Sequence, residues 1–371
     1  MVCLPHTNTT EAYATCAYTQ KIRKFARAMY GCGRDLILYG GEENDALCDE
    51  HVVVVTAKQQ RRWFGTHDEG DIGRGGFDWD RGPWWDRLNA AALGAIRKRR
   101  RDERDLLLVL AGQTHRPLYQ ALPDMTVAEF GVGYKGIILD RANAYAAFES
   151  HAHRHFVYGW HNMEFPARHG DRYAWDTVIP NLFDPEEGVF GDGDGGYLLF
   201  VGRLVGTKGP QVASEIAQRL GMRLVVAGHG VEKQGDGWIE FDGGQRAECE
   251  YVGTVGIAER AELMAGAVAT LMPTFYIEPF GGVAVESMLC GTPVVATNMG
   301  AFTETVVEGV TGYRFHTMAE ACLAVEKAAR LDRWEVRKSA LDRFSLDAVA
   351  PQYQRWFGQL DQLRDERGWY A

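Results

Sequence analysis

Short apolar runs alternate with helical patterns along most of this chain, and the alternation limits the folds it can adopt. In the first half, residues 1–4, 36–39, 52–55 and 106–110 are apolar runs of the length expected for buried parallel strands. A helical pattern fills residues 18–29 between the first two runs. Strands alternating with helices predict βαβ units and a doubly wound sheet.

The second half repeats this alternation and predicts a second doubly wound sheet. A chain of 371 residues has room for two domains of ordinary size. Residues 144–149 are predicted to be helical, as are residues 84–104. The elements predicted in the second half are strand 197–201, helix 209–220, strand 223–227, strand 250–252, helix 257–266 and strand 268–272.

Composition narrows the class of protein. Apolar residues make up 46% of the chain and charged residues 24%, as in soluble globular proteins. The net charge of −10 argues against broad, non-specific binding of nucleic acid. The seven cysteines include no Cys-x-x-Cys pair, so we expect a reduced, cytoplasmic protein. We expect neither a secretory leader nor a membrane-spanning segment, because no apolar run approaches the ~20 residues that a spanning helix needs.

Residues 278–286 combine two carboxylates with a pair of glycines. Glu278 and Glu286 flank Gly281 and Gly282, in a segment predicted to be a loop that leads into a helix. Carboxylates bind vicinal hydroxyls, and the free amides at a helix N-terminus bind phosphate. A ligand with hydroxyls at both ends and phosphates between them is a nucleotide-sugar.

Two cations follow the predicted strand 197–201. Because that strand ends at Gly202, the side chains of Arg203 and Lys208 are expected at the carboxyl edge of the sheet, where α/β proteins bind ligands. They would stabilise the negative charge that grows on a departing nucleoside diphosphate. The alternative is that both are ordinary surface residues of a loop.

Together with residues 201–209, 226–230, 251–253 and 300–304, this segment resembles the donor-binding signature of GT-B glycosyltransferases of the retaining family 4. The resemblance covers the C-terminal half almost continuously. It implies an α/β fold with two Rossmann-like, doubly wound domains facing a cleft, and a C-terminal helix that crosses back to the N-terminal domain. The implied domains are 1–180, with 347–371 packing on it, and 181–346, which binds the nucleotide-sugar.

The implied activity is retaining transfer of a hexose from an NDP-sugar, of the UDP-glucose type, to a hydroxyl acceptor. No cofactor and no metal are expected. The leaving phosphate would take the acceptor proton, so the protein supplies no nucleophile. By resemblance, Glu278 and His115 orient the sugar, Arg203 and Lys208 stabilise the diphosphate, and Glu286 holds the ribose.

Further donor contacts are expected on the same side. Gly202, Gly281 and Gly282 leave room for donor phosphate or sugar, and backbone groups near Thr254 are candidates for binding the base. Glu304 is either a donor contact or a helix cap.

The acceptor side carries weaker signals. His6 and Thr9 stand where the family has a glycine-rich loop, and Glu129 either contacts the acceptor or makes a structural hydrogen bond. His115, a lone histidine, has a structural role as its alternative. His151, His153 and His155 alternate as metal ligands on a strand would, but we expect no metal there.

Several alternatives remain open at this level. A glycan or a small molecule is favoured as acceptor over modified DNA bases in a phage. The basic run 97–101 still allows binding to DNA or to an anionic membrane surface as an alternative. Residues 63–83, rich in Gly and Trp, are either an acceptor-binding loop or a surface insertion. A GT-B phosphorylase or epimerase and a decayed nucleotide-sugar-binding protein are the rival functions. The oligomeric state is undetermined.

Overall fold

A computed structural model describes residues 1–14, 16–65, 77–101, 104–134, 136–164 and 174–365. The chain divides into two compact units. The first unit contains Met1–Glu149, Arg154–Leu182 and Val349–Ala371, and the second contains Ser150–His153 and Phe183–Ala348. None of the helices in these described ranges is long and apolar enough to span a lipid bilayer.

The first unit is built on parallel strands. Residues 1–4 have only one isolated bridge, at Val2, but their backbone links two sheets: the Val2 N–H donates to the Leu108 carbonyl and the Cys3 N–H to the Tyr39 carbonyl, at 3.0 and 2.9 Å. The resulting order is β2–β1–(1–4)–β3–β4–β5–β6. The elements are α1 (Ala17–Met29), β1 (Ile37–Gly40), β2 (Glu50–Val53), α2 (Ala57–Phe64), α3 (Pro83–Arg99), β3 (Leu106–Val109), α4 (Arg116–Gln120), β4 (Thr126–Val132), β5 (Ala144–Phe148), α5 (His151–Glu164) and β6 (Thr177–Val178).

One predicted helix is wrong. Residues 144–148 form β5, which pairs with β4 on one side and β6 on the other and is buried along its whole length. Its sequence, Ala-Tyr-Ala-Ala-Phe, suits a helix locally, but pairing in the sheet overrides that propensity. The helix predicted for residues 84–104 ends earlier, at Arg99.

The basic run at the end of α3 pairs with carboxylates of the same unit. Arg99 Nε lies 2.7 Å from Glu50 Oε1, Arg100 Nη2 lies 2.6 Å from Asp124 Oδ2, and Arg101 pairs with Asp35. These pairs are partly solvated and contribute little to stability. They favour an ordinary paired helix end over a nucleic-acid patch. Of the 63–83 segment, residues 66–76 lie outside the described residues.

The second unit has a six-stranded parallel sheet ordered β12–β8–β7–β13–β14–β15. Its elements are β7 (Tyr197–Val201), α6 (Pro210–Leu220), β8 (Arg223–Ala227), β9 (Val231–Gly235), β10 (Trp238–Phe241), β11 (Gln245–Glu248), β12 (Glu250–Gly253), α7 (Ile257–Gly266), β13 (Ala269–Met272), α8 (Gly282–Leu289), β14 (Val294–Thr297), α9 (Phe302–Thr305), β15 (Gly312–Phe315), α10 (Met318–Ala328), α11 (Arg333–Phe344) and the start of α12 (Leu346–Asp365).

The central strand β7 shows why this sheet is covered on both faces. All five of its side chains are buried. Leu198 and Phe200 point into a core formed with α6 and α10, whereas Leu199 and Val201 point into one formed with α7. Since successive side chains of a strand point to opposite faces, a strand buried on both faces must be apolar throughout.

Candidate functional site

The strand order of the second unit creates a natural ligand site. β7 is the first strand of its sheet in chain order and β13 the fourth, yet they lie side by side. Such a reversal is the point where open α/β sheets bind ligands, because the loops leaving the two strands diverge there. The loop after β7 (residues 202–209) and the loop after β13 (residues 273–281) carry the predicted donor-binding residues.

The two loops are held together by backbone contacts. The Phe275 N–H donates to the Thr207 carbonyl at 2.8 Å. Gly209 has φ of +76°, and a Cβ at this position would lie 2.1 Å from the Pro273 carbonyl oxygen. Only glycine fits both the backbone conformation and this approach. Pro210 then begins α6, where its missing N–H is not needed.

Lys208 and Glu278 meet between these loops. Lys208 Nζ lies 3.3 Å from Glu278 Oε2, and the two side chains are 23% and 12% exposed. Tyr276 donates its hydroxyl hydrogen to the same carboxylate oxygen, and its ring centroid is 5.6 Å from the lysine nitrogen. The pair is held in place, but it remains open to a ligand at the carboxyl edge of the sheet.

Arg203 differs from Lys208 in having no side-chain partner within the part of the chain that the structure describes. It follows Gly202 at the end of β7, and its side chain is exposed. An unpaired guanidinium in the loop that also carries Lys208 gives this edge a local positive charge, which would attract an anionic ligand.

Glu286 is the fifth residue of α8, the helix that begins at Gly282 after Gly281. Its Oε1 is 2.9 Å from Nη2 of Arg260, and both side chains are about one-fifth exposed, at 20% and 17%. These two residues help line a small depression of about 20 Å³ between α7 and α8. The sequence did not indicate Arg260, because a single arginine 26 residues from its partner on another helix leaves no pattern.

The remaining donor-side predictions have different outcomes. Thr254 is exposed directly after β12. Both carboxylate oxygens of Glu304 accept hydrogen bonds from the start of α5, from the His151 N–H at 2.9 Å and the Ala152 N–H at 2.7 Å. This geometry favours the helix-cap alternative for Glu304 over a donor contact.

The structure favours the structural alternative for both His115 and Glu129. His115 is fully buried in the first unit, with Nε2 3.0 Å from the Leu110 carbonyl oxygen and Nδ1 2.8 Å from Asn89 Oδ1. Burial lowers the pKa of His115 to about 4, which keeps the imidazole neutral. Glu129 is also fully buried and accepts from the Tyr134 hydroxyl and the Ile138 N–H. Both side chains are enclosed and hydrogen-bonded within the first unit, which favours a structural role for each.

The other acceptor-side candidates are also enclosed. His6 is 2% exposed and stacks on Phe77 with 3.8 Å between ring centroids, and Thr9 is 3% exposed. The histidines at 151, 153 and 155 lie on α5 rather than on a strand, and the described residues contain no cluster of three or more metal-ligating side chains there or elsewhere.

Family comparison agrees with the geometry of the second unit. Residues 188–335 match the family described as glycosyl transferases group 1. The D-inositol 3-phosphate glycosyltransferase of Mycobacterium tuberculosis (strain ATCC 25618 / H37Rv) is 31% identical over 193 residues, which cover 46% of this chain and 39% of that protein. The same enzyme of Mycobacterium bovis (strain ATCC BAA-935 / AF2122/97) gives the same values. The chain thus spans about two-fifths of the length of these curated relatives.

Solved structures match the chain over nearly its whole length. Sucrose-phosphate synthase from Thermosynechococcus elongatus has a TM-score of 0.66 at 14% identity, over 96% of this chain and 98% of that one. AviGT4, a glycosyltransferase involved in avilamycin A biosynthesis, has a TM-score of 0.60 at 19% identity, over 92% and 89%. Anabaena HepE in complex with UDP-glucose has a TM-score of 0.60 at 14% identity, over 96% and 98%. The predicted GT-B fold class is confirmed.

Proposed function

We propose that this chain, whose residues 188–335 match the glycosyl transferases group 1 family, is a retaining glycosyltransferase that moves a hexose from an NDP-sugar to a hydroxyl acceptor. The observation that carries the proposal is the Lys208–Glu278 pair, at 3.3 Å, where β7 and β13 lie side by side. A cation for phosphate and a carboxylate for sugar hydroxyls stand together at the edge where such sheets bind ligands.

The other residues of this edge take complementary roles. Arg203 and Lys208 hold the diphosphate and stabilise its charge as it leaves. The free amides at the start of α8 face phosphate, and Glu286 receives the ribose hydroxyls. His115, which is fully buried, takes no part. A donor of the UDP-glucose type is the first candidate, since UDP-glucose is bound in the HepE structure that this chain resembles.

The transfer takes place on one face of the sugar. The bond between the anomeric carbon and the diphosphate oxygen breaks, and a bond from that carbon to the acceptor oxygen forms on the same face. The acceptor proton passes to the departing diphosphate. Arg203 and Lys208 supply positive charge, so we propose that transfer needs neither metal nor cofactor.

Composition supports one class of acceptor and one location. A glycan or small molecule suits a chain of net charge −10 better than DNA does. All seven cysteines are free thiols, which suits a reducing compartment, and we place the protein in the cytoplasm.

Donor turnover tests the proposal. Purified protein is incubated with UDP-, GDP-, ADP- and dTDP-sugars, with EDTA and without acceptor, and release of nucleoside diphosphate is measured. We expect slow hydrolysis of one donor, abolished in Glu286→Ala, with the product anomer retained. No release from any donor, together with no thermal shift by any nucleotide, would refute transferase activity and point to a decayed binding protein. Formation of sugar 1-phosphate from a glycan and inorganic phosphate, with no turnover of any nucleotide-sugar, would point instead to a phosphorylase.

A further inference from the structure

A small sheet of the second unit contacts the loop after β7, which carries Arg203 and Lys208. Strands β9, β10 and β11 form their own three-stranded antiparallel sheet, separate from the six-stranded sheet of this unit. The turn between β10 and β11 carries Asp242, whose φ of +48° lies in the left-handed region. A non-glycine residue held in this conformation costs free energy, and such positions recur where the surrounding structure has a specific use for them.

The side chain of Asp242 makes a hydrogen bond to the loop after β7. Its Oδ2 accepts a hydrogen bond from the Gly206 N–H at 2.7 Å. Gly206 begins the 3₁₀ turn Gly206–Lys208, so the bond fixes the start of the turn whose last residue is Lys208. Gln245 contacts the same turn: its side chain would lie 2.2 Å from a Cβ at position 206, and its Nε2 is 3.4 Å from Asp242 Oδ2.

Other contacts also hold this loop, among them a hydrogen bond from Gln211 Nε2 of α6 to the Gly206 carbonyl at 3.1 Å. The Leu204 N–H donates to the His229 carbonyl at 2.8 Å, and the Thr207 carbonyl accepts from Phe275. Asp242 is a side-chain anchor, and it holds an amide that precedes Lys208 by only two residues. A turn held at Gly206 and at Thr207 restricts where the lysine ammonium can lie.

We propose that Asp242 is a positioning residue for the reaction: through the Gly206 N–H it keeps Lys208 aimed at the diphosphate of the donor. This inference rests on the proposed function. A cation stabilises a transition state most when it is already in place and need not reorganise as charge develops. Loss of the anchor should therefore lower kcat more than it raises KM.

Three substitutions at one position separate positioning from stability. Asp242→Asn keeps an acceptor oxygen and tolerates a left-handed backbone. Asp242→Gly removes the acceptor oxygen but also removes the free-energy cost of the left-handed backbone. Asp242→Ala removes the acceptor oxygen and keeps that cost. Glu240→Ala is the matched control, because Glu240 lies on the same hairpin and pairs with Lys233.

We expect Asp242→Asn and Glu240→Ala to keep kcat of donor turnover within about threefold of wild type. Asp242→Gly and Asp242→Ala should both lose about tenfold in kcat, although the Gly variant should melt at or above the wild-type Tm and the Ala variant below it. A merely structural role would make activity follow Tm. Wild-type kcat in Asp242→Gly would therefore overturn the proposal.

Hydrogen exchange provides a readout that does not depend on activity. Amides of residues 204–209 should exchange faster in Asp242→Gly and Asp242→Ala than in wild type, and at the wild-type rate in Asp242→Asn. Unchanged exchange in the Gly and Ala variants would refute the anchor itself. Faster exchange in a protein that turns over no donor would leave the anchor standing and refute the proposed function.

Discussion

Replacing Lys208 with methionine gives the sharpest test of the site. Lys208 Nζ is 3.3 Å from Glu278 Oε2, a distance at which two unit charges interact by about 1 kcal/mol in water and about 5 kcal/mol at the effective dielectric constant of a protein surface. With exposures of 23% and 12%, the pair lies between these limits. A departing diphosphate at the same distance would lose stabilisation of similar size, about 3 to 4 kcal/mol.

That loss corresponds to a fall in kcat of roughly 10²- to 10³-fold. Initial rates of nucleoside diphosphate release from the preferred donor measure kcat, and titration calorimetry with the free nucleoside diphosphate measures its affinity. The free energy of unfolding should change by about 1 kcal/mol or less, because a partly exposed ion pair contributes little to folding. Lys233→Met is the control, since Lys233 is an exposed lysine of β9 paired with Glu240.

The double variant Lys208→Met with Glu278→Gln adds a second check. Groups in direct contact do not have additive effects, so the two substitutions together should cost clearly less than the sum of the single losses. The reasoning is refuted if Lys208→Met keeps kcat and nucleotide affinity within about threefold of wild type while its fold is intact.

Two further predictions concern stability and backbone. Burial lowers the pKa of His115 from 6.5 to about 4, so the stability that the neutral imidazole contributes is complete above pH 6.5 and falls by roughly 3 kcal/mol as pH drops toward 4. Urea unfolding at about pH 7 and pH 4.5 should therefore show a smaller loss of stability in His115→Gln than in wild type. An equal loss in both proteins would contradict this. Gly300 has φ of +58° and a Cβ there would lie 2.6 Å from the Glu278 nitrogen, so Gly300→Ala should lower kcat about tenfold or more. Gly309 has a similar φ of +73°, but the atom nearest to a Cβ there is 3.8 Å away, so Gly309→Ala should lose only about 1 kcal/mol of stability. Equal activity in the Gly300→Ala and Gly309→Ala variants would refute the steric clash at Gly300.

The fold was predictable where short-range patterns are unambiguous. The bounds of β7, β8 and α7 agree with the sequence prediction, because an apolar run between turn residues or a clear helical period leaves few alternatives. Residues 144–148 have no such signal, and only their pairing with β4 and β6 decides that they form a strand. The strand β9, four of whose five residues are exposed, shows no apolar alternation at all.

For the candidate site as well, the sequence predicted some residues and the structure alone revealed others. Lys208 and Glu278 are 70 residues apart, and their motifs were visible in the sequence, but their contact follows from the order of strands in the sheet. His115 and Glu129 follow or lie in strands just as ligand-binding residues do, and only burial shows that they face the core. Arg260 and Asp242 are single charged residues outside any motif, so the structure alone connects them to Glu286 and to the Gly206–Lys208 turn.

The make-up of the first unit has a consequence for how the protein is synthesised. Phe25 of α1 packs edge-to-face on Tyr353 at 5.0 Å between ring centroids, and Tyr353, Trp356 and Leu360 of α12 are at most 2% exposed. Residues 1–182 therefore leave the ribosome without the aromatic side chains that complete their core. The next 166 residues, up to Ala348, must be made first, which takes roughly 8 to 33 s at ordinary elongation rates. During that time the nascent chain exposes an apolar surface around Phe25. A chaperone that bound this surface would protect the chain from aggregation at this stage.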